Sequence, residues 1–246
     1  MNIITQKEIV SGLRKLGVAP GMDLEVHSSL KSFGPVDGGA KTVIAALKEA
    51  VGPDGSIFMP SLRLSPAYAL SPEDRRLGIT CKIKILPPGE KHSAMGVIAD
   101  TFRQMPDVQT GDGIFRVSAW GKHAPEVQNG FQYLLDHNGK GLLLGVDIYK
   151  LTAMHYVEDL LPQRIREIFQ PSDEVNRLYP PEAWFVECGE PPVKAWYTIQ
   201  NAAHEKGLIN EEMIGTSQCM FFTLRAVVGL YREALERNPL KLYGLS

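Results

Sequence analysis

The stretch from residue 142 to residue 158 constrains the fold of this chain most strongly. An apolar run at 142–144 stops at Gly145, and a helix-like spacing of apolar residues follows. A short apolar run before a glycine predicts a buried strand and a tight turn, and the later spacing predicts the start of a helix. This order is a building block of layered α/β proteins.

Two ionisable residues of that helix are three positions apart. His155 and Glu158 therefore share one helix face. A carboxylate can hold an imidazole in one tautomer and raise its basicity, which makes a general base near neutral pH. The spacing equally fits a surface pair worth only about 0.2–0.5 kcal/mol. Both interpretations stay open at this point.

Composition narrows the class of protein. A chain of 246 residues with 44% hydrophobic and 22% charged residues is ordinary for a globular protein of one large or two small domains. A net charge of −2 provides no basic field for nucleic acid or anionic lipid. No signal peptide and no apolar run of about 20 residues is apparent, so we expect a cytoplasmic protein without a membrane segment. Cys81, Cys188 and Cys219 are few and far apart, which argues against disulfides and against a metal site.

The periodicity predicts an alternation of helices and strands along the chain. Helix 5–17 carries its own start and stop signals: Thr5 as N-cap, Glu8 three residues later, and Gly17 at the end. We further expect helices at 40–51, 95–103, 124–136 and 217–237, strands at 23–27 and 56–59, and a hairpin within 171–200 around Trp184, Phe185, Trp196 and Tyr197.

Two segments differ from this alternation. Residues 28–39 are rich in serine and glycine, and the backbone N–H groups and hydroxyls of such a loop suit phosphate oxygens, although a plain strand–helix connection fits as well. Residues 61–94 hold four prolines and look like an irregular excursion, either a lid or a solvated insertion. The excursion is basic, with Arg63, Arg75, Arg76, Lys82, Lys84 and Lys91 against Glu73, Asp74 and Glu90.

Four pieces in order resemble the aminoglycoside 3-N-acetyltransferase family, whose antibiotic N-acetyltransferase fold is distinct from the GNAT fold. They are His-Ser-Ser-Leu-Lys-Ser-Phe-Gly at 27–34 with Gly38 and Gly39, then 95–103, then Ser-Ala-Trp-Gly at 118–121, and finally 142–145 with 152–158. The segment 215–222 also looks like the family's closing helix start. The resemblance spans essentially the whole chain and implies a single α/β domain over residues 1–246, with a mixed central sheet flanked by helices.

The resemblance implies a set of roles. Acetyl-CoA, the co-substrate, would be held by the first loop, and the helix histidine with its glutamate would activate the acceptor amine, with a threonine near the thioester. Those positions are Ser28, Ser29, Leu30, Lys31 and Gly34 for acetyl-CoA, and His155, Glu158 and Thr152 for the chemistry. The implied activity is N-acetylation of an aminoglycoside or related amino sugar, which is an antibiotic-resistance activity.

The sequence departs from the family pattern at two places. An Arg-Ser-x-His-Pro-x-x-Ser string is replaced at 109–116, where Asp112, Gly113 and Arg116 stand for the His-Pro pair and the last serine. An aspartate and an asparagine before the threonine are replaced by Tyr149 and Leu151. These differences leave two alternatives: acyl transfer to an amino sugar of a surface glycan or secondary metabolite, and a member that binds CoA or sugar without turnover.

The basic excursion suggests a preference among acceptors. If residues 61–94 cover the acceptor pocket, their positive charge would disfavour a polycationic aminoglycoside and favour a neutral or anionic amino sugar. The partners we expect are therefore acetyl-CoA and a small-molecule amine, with neither nucleic acid nor membrane. A homodimer is an assembly that the sequence leaves open.

Overall fold

The chain folds around one large mixed sheet in a computed structural model that describes residues 3–245. The strands are β1 Asp23–Ser28, β2 Ser56–Pro60, β3 Ile79–Lys84, β4 Gln109–Thr110, β5 Val117–Gly121, β6 Lys140–Leu144, β7 Trp184–Cys188, β8 Ile209–Ile214 and β9 Ser217–Thr223. Seven of them form the large sheet in the order β4-β5-β2-β1-β6-β9-β8, and β3 and β7 form a small antiparallel sheet.

Helices cover both faces of the large sheet. They are α1 Gln6–Leu16, α2 Ala40–Val51, α3 Pro72–Arg76, α4 Gly96–Arg103, α5 Gly130–Asp136, α6 Gln163–Phe169, α7 Asp173–Leu178, α8 Ala195–Glu205, α9 Leu224–Arg237 and α10 Pro239–Leu242. Shorter 3-10 helices span Leu30–Phe33, Ala124–Asn129, Ile148–Lys150 and Thr152–Leu160. One apolar core lies between the sheet and α1, α2 and α4, and a second lies between the sheet and α5, α8 and α9.

Three parallel strands determine which loops of the large sheet lie next to one another. β1 pairs in parallel with both β2 and β6, so Ser28, Pro60 and Leu144 end at the same edge, called here the carboxyl edge. β5 and β9 run antiparallel beside them. In open α/β sheets, ligands bind outside the carboxyl ends of parallel strands. The loops that begin at Ser29 and Gly145 both leave from this edge.

Most of the expected elements are confirmed. Thr5 and Glu8 form a reciprocal capping box on α1, and Gly17 ends the helix with φ of 114°. The helices predicted at 40–51 and 95–103 and the strands at 23–27 and 56–59 are present with small changes of boundary. The predicted single-domain α/β fold with a mixed, helix-flanked sheet is confirmed. Residues 1, 2 and 246, which belong to the predicted domain and, at the N-terminus, to the signal-peptide argument, lie outside the described residues.

The prediction of an irregular excursion at 61–94 was wrong in part. This segment contains α3 and β3, and β3 pairs with β7 about a hundred residues later, a contact that local periodicity cannot reveal. Three arginines fasten its remaining loop: Arg63 donates to the Leu86 carbonyl at 2.7 Å, Arg116 to Pro88 at 3.2 Å, and Arg103 to Glu90 at 2.9 Å. Of these three arginines only Arg63 belongs to the segment 61–94, so its basic charge serves in part to order the segment itself.

Two predictions near the C-terminus were also wrong. The expected hairpin within 171–200 is β7 flanked by α7 and α8, and Trp196 and Tyr197 lie on α8. The expected helix 217–237 is β9 followed by α9, so the segment 215–222 is a turn and a strand rather than a helix start. Apolar runs such as Met220 to Phe222 do not distinguish a buried strand from a buried helix by period.

Candidate active site

A histidine–glutamate pair stands on the 3-10 helix Thr152–Leu160, which follows the carboxyl edge. In a 3-10 helix, residues three apart are eclipsed, so His155 and Glu158 lie directly over one another. The two atoms His155 Nδ1 and Glu158 Oε2 are 2.6 Å apart. Because a carboxylate accepts, Nδ1 is the donor, and in the neutral imidazole Nε2 then has the free lone pair. The histidine side chain is 61% exposed, so Nε2 is open to a substrate.

Tyr231 contacts the glutamate, and Tyr243 in turn contacts Tyr231. The Tyr231 hydroxyl on α9 donates to Glu158 Oε1 at 3.3 Å, and it lies 2.6 Å from the Tyr243 hydroxyl. Burial raises the pKa of Tyr231 well above its ordinary value and raises the pKa of Tyr243 to about 12. Both hydroxyls therefore stay neutral near pH 7, and Tyr231 remains a hydrogen-bond donor that fixes the carboxylate.

The surroundings make the histidine more basic. Desolvation is the largest single effect and would lower the pKa of His155, whereas the hydrogen bond to Glu158 raises it. The negative charges of Glu158, Glu187 and Glu25 act in the same direction as that hydrogen bond, and together they raise the pKa of His155 above its ordinary value. The Trp196 ring meets the imidazole edge-on, with 4.8 Å between centroids. A histidine oriented and made more basic in this way is suited to take a proton from an incoming group.

The loop after β1 lies at the same edge. Ser28 ends β1, the Ser29 N–H donates to the Leu144 carbonyl at 2.9 Å, and Leu30 packs on the apolar core. Lys31 is exposed, and Gly34 closes the short helix with φ of 77°. The residues predicted to hold acetyl-CoA are thus together, at the edge from which the helix of His155 also departs.

Gly145 allows these two loops to approach each other. Its φ is 67°, and a Cβ at this position would overlap Ser32 Oγ and Ser217 Oγ. Those two hydroxyls lie 2.8 Å apart, and Ser32 Oγ also donates to the Ser29 carbonyl at 2.6 Å. A glycine at this turn is therefore required by both conformation and space.

Thr152 begins the 3-10 helix. Its N–H points to His27 Nε2 on β1 at 3.3 Å, and the next N–H, of Ala153, donates to Glu25 Oε1 at 3.1 Å. The backbone of this predicted site residue is therefore turned toward the sheet. Its side-chain hydroxyl is the group that remains for substrate.

The small sheet contributes an acidic side chain, rather than a basic one, to the surroundings of the histidine. Glu187 and Cys81 are opposite each other in the β3–β7 register and share one face of that sheet, whereas Lys82 and Lys84 alternate with Cys81. Lys82 is bound to the buried Asp74 at 2.6 Å on the other side. The positive wall expected from residues 61–94 is therefore not formed by these two lysines, and the charge of this sheet that acts on His155 is the negative charge of Glu187.

An aromatic surface continues from the histidine toward α8. The rings of Tyr149 and Tyr197 lie 4.5 Å apart, and the Tyr197 hydroxyl donates to Asp147 at 2.9 Å. The ammonium of Lys194 lies 5.6 Å above the Tyr149 ring. Aromatic faces with a few polar groups are common walls of small-molecule sites.

The departure at 109–116 has a local structural consequence. Asp112 and Gln128 form a reciprocal clasp, in which the Asp112 N–H donates to Gln128 at 3.3 Å and the Gln128 amide donates to the Asp112 carboxylate at 3.0 Å. Arg116 donates instead to the carbonyls of Ser61 and Pro88. These residues stabilise loops where the family string has a histidine, a proline and a serine.

Several residues of this site were missed by the sequence analysis. Glu25, Tyr231 and Glu187 come from β1, α9 and β7, and the sequence contains no local pattern that links them to His155. His27 was predicted only as the last residue of the strand 23–27 and the first residue of the family piece 27–34. The apolar surroundings of Glu25 within a strand were the one available signal, because a carboxylate in a buried strand is unusual.

Comparison with known proteins decides the family. The family model described as aminoglycoside 3-N-acetyltransferase matches residues 26–236. The chain belongs to this family. An aminoglycoside N(3)-acetyltransferase III from Salmonella sp is 28% identical over 279 residues, covering 95% of this chain and 92% of that protein. The family and this relative identify the chain as an acetyltransferase.

Solved structures of the family share the fold. Aminoglycoside acetyltransferase AAC(3)-IVa, as an apoenzyme, superposes with a TM-score of 0.72 at 23% identity, over 99% of this chain and 92% of that one. AAC-IIIb in a binary complex with CoASH gives a TM-score of 0.69 at 20% identity, over 96% and 97%. Within residues 3–245, no helix is long and apolar enough to cross a membrane, and no three side chains of the metal-binding types come together as an ion site.

Proposed function

We propose that this protein transfers the acetyl group of acetyl-CoA to an amine of an aminoglycoside or a related amino sugar. The observation that carries the proposal is the pair His155–Glu158, whose Nδ1–Oε2 distance is 2.6 Å and whose Nε2 is free and exposed at the carboxyl edge. Membership of the acetyltransferase family and the CoASH complex of the related AAC-IIIb support the choice of donor.

The proposed chemistry is direct transfer. The amine nitrogen of the acceptor attacks the thioester carbonyl, and His155 Nε2 takes a proton from that nitrogen as it does so. The new C–N bond forms a tetrahedral oxyanion, which collapses as the C–S bond breaks. The thiolate of CoA leaves and takes the proton from the His155 imidazolium, so the products are the N-acetylated sugar, CoA with a free thiol and the neutral histidine. Glu158 stabilises the imidazolium that exists between these steps.

The oxyanion requires donors that are free in the protein. The backbone N–H groups of Ser29 and Thr152 point to Leu144 and to His27, so their hydroxyls are the groups we assign to the oxyanion. Both residues lie at the carboxyl edge, one on each of the two loops that meet there.

The loop 28–34 is proposed to hold acetyl-CoA through Ser28, Ser29, Leu30, Lys31 and Gly34. The double variant Ser29→Ala with Lys31→Ala should raise KM for acetyl-CoA more than KM for the acceptor, because these groups would contact only the cofactor. Steady-state kinetics with each substrate varied in turn measures this. Lys41→Ala, which removes a charge from an exposed position on α2, is the matched control and should leave both KM values unchanged. Equal increases for both substrates would contradict the assignment.

The charge around His155 favours a cationic acceptor. Glu187 faces the histidine from β7, so Glu187→Gln should raise KM for a kanamycin-type polyamine more than KM for a mono-amino sugar, and added salt should reduce the difference. Lys84→Gln alters a charge on the opposite face of the same small sheet and should affect neither acceptor selectively. If Lys84→Gln, rather than Glu187→Gln, changed the preference, the basic residues of 61–94 would face the acceptor after all.

The direct test of the function is release of CoA thiol from acetyl-CoA over a panel of aminoglycosides and simpler amino sugars. Turnover of aminoglycosides supports the proposal. Turnover restricted to other amino sugars would indicate the glycan or secondary-metabolite alternative. Binding of CoA without turnover of any acceptor would indicate a non-catalytic member, for which the replaced string at 109–116 gives the structural reason.

A further inference from the structure

The central strand β1 contains a carboxylate where an apolar residue would pack better. Glu25 is fully buried, and β1 has a neighbouring strand on each side. Leu24 and Val26 point into one apolar core, so Glu25 and His27 share the opposite face. A buried ionised group destabilises a fold unless hydrogen bonds compensate it, and Glu25 Oε2 has no partner among the described residues. Such a residue calls for an explanation beyond packing.

The other carboxylate oxygen has two partners: one is next to the loop 28–34, and the other is on the 3-10 helix that contains His155. Glu25 Oε1 lies 2.8 Å from His27 Nε2 and accepts from the Ala153 N–H at 3.1 Å. The Thr152 N–H is directed at the same His27 nitrogen at 3.3 Å. The pair therefore contacts the first two residues of the 3-10 helix on which His155 and Glu158 stand.

Those two N–H groups would otherwise lack a partner. The first N–H groups of a helix have no acceptor within the helix, and a side chain of the preceding residue usually supplies one. Here the preceding residue is Leu151, which provides no side-chain cap. Glu25 Oε1 accepts the Ala153 N–H from a different element, across the boundary between sheet and helix, and His27 donates its Nε2 proton to the same oxygen and holds it in place.

We propose that the buried pair Glu25–His27 positions the catalytic helix by capping it from β1, and so couples the loop 28–34 to the His155–Glu158 pair. The expected change in kcat rests on the proposed function, whereas the contacts between β1 and the 3-10 helix do not depend on it. His27 is followed directly by Ser28 and Ser29, so the end of β1 adjoins both the loop 28–34 and the 3-10 helix that contains His155. Glu25 and His27 are positioning residues, because neither reaches the reacting atoms.

The coupling has an electrostatic signature that a merely structural role lacks. The groups whose charges act on His155 are Glu158 on its own helix, Glu187 on β7 and Glu25 on β1, and each raises the pKa of His155. Removing the charge of Glu25 should therefore lower the pKa of His155. An apolar replacement should also free the Ala153 N–H and let the helix shift.

The test uses Glu25→Gln, Glu25→Met and the control Ser56→Ala. Ser56 is buried and is the first residue of β2, at the end of that strand away from the carboxyl edge. Its hydroxyl accepts a hydrogen bond from the His123 N–H at 2.8 Å, so this variant loses a buried hydrogen bond that does not involve the 3-10 helix. We expect Glu25→Met to lower kcat by about tenfold or more, since a displacement of about 1 Å in a site can cost about 10²-fold. Ser56→Ala should affect thermal stability without changing kcat.

NMR titration of His155 separates this inference from the proposed function. In Glu25→Gln the pKa of His155 should fall, and amide exchange at Ala153 should accelerate in Glu25→Met, whether or not the wild-type protein acetylates any acceptor. If Glu25→Met does not fold, Glu25→Gln decides. A folded Glu25→Gln protein with lower thermal stability but an unchanged kcat and an unchanged His155 titration would show that the pair is only structural and would overturn the inference.

Discussion

Replacing His155 with alanine is expected to lower kcat by about 10²–10⁴-fold, the range that a positioned general base typically contributes. An ammonium group must lose its proton before it can attack a thioester, and His155 Nε2 is the free, exposed acceptor beside the carboxyl edge. Acetyl-CoA binding should persist, because the loop 28–34 is a separate segment. Thiol-release kinetics measures kcat, and calorimetric titration with CoA measures binding.

His92→Ala is the matched control for this experiment. His92 is exposed within the loop before α4 and lies outside the contacts described for the site, so its loss should leave kcat unchanged. Near-normal turnover in a folded His155→Ala protein would remove the histidine from the mechanism. Loss of CoA binding in the same variant would indicate that the histidine also shapes the cofactor site.

The part of the fold that the sequence could predict is the part determined locally. α1 is specified by Thr5, Glu8 and Gly17, which act within a few residues of one another, and the structure contains each of these interactions. The core strand β6 is likewise marked by its apolar run and by the turn at Gly145. In such segments, periodicity and capping residues agree with the tertiary environment.

The failures occur where tertiary contacts decide. β3 is a strand because it pairs with β7, and nothing between residues 79 and 84 anticipates that partner. β9 is a strand because it lies between β6 and β8, although its apolar run fits a helix equally well. The predicted hairpin failed for the same reason, since Trp196 belongs to the core beneath α8 and α9 rather than to a paired strand.

The active site also has a part that the local sequence predicts and a part that only tertiary contacts determine. The spacing of His155 and Glu158 was sufficient to predict their contact, because residues three apart meet in a 3-10 helix as well as on an α-helix face. The groups that tune this pair come from distant strands and helices. Glu25 is 130 residues before His155 in the chain and Tyr231 is 73 residues after Glu158, so only the fold brings them together.

Replacing Glu158 with glutamine is expected to lower kcat at neutral and higher pH, by less than His155→Ala does. The amide keeps the size of the side chain but loses the charge that orients and stabilises the imidazolium. Loss of the partner that orients a functional histidine costs about 10–100-fold at metal sites, and we expect a loss in that range. Glu167→Gln is the matched control, because Glu167 is an exposed carboxylate on α6 that accepts a hydrogen bond from the neighbouring Gln163.

The pH dependence of the Glu158→Gln variant distinguishes a catalytic pair from a structural one. Glu158 raises the pKa of His155, and the base must be neutral to act, so the acidic limb of the wild-type rate profile reflects this raised pKa. Without the charge the pKa falls, and a larger fraction of the variant's histidine is neutral at low pH. The ratio of variant to wild-type kcat should therefore rise as pH is lowered. A ratio that is constant with pH would mean that Glu158 supports the helix through packing and through Tyr231 alone, and that the histidine acts without it.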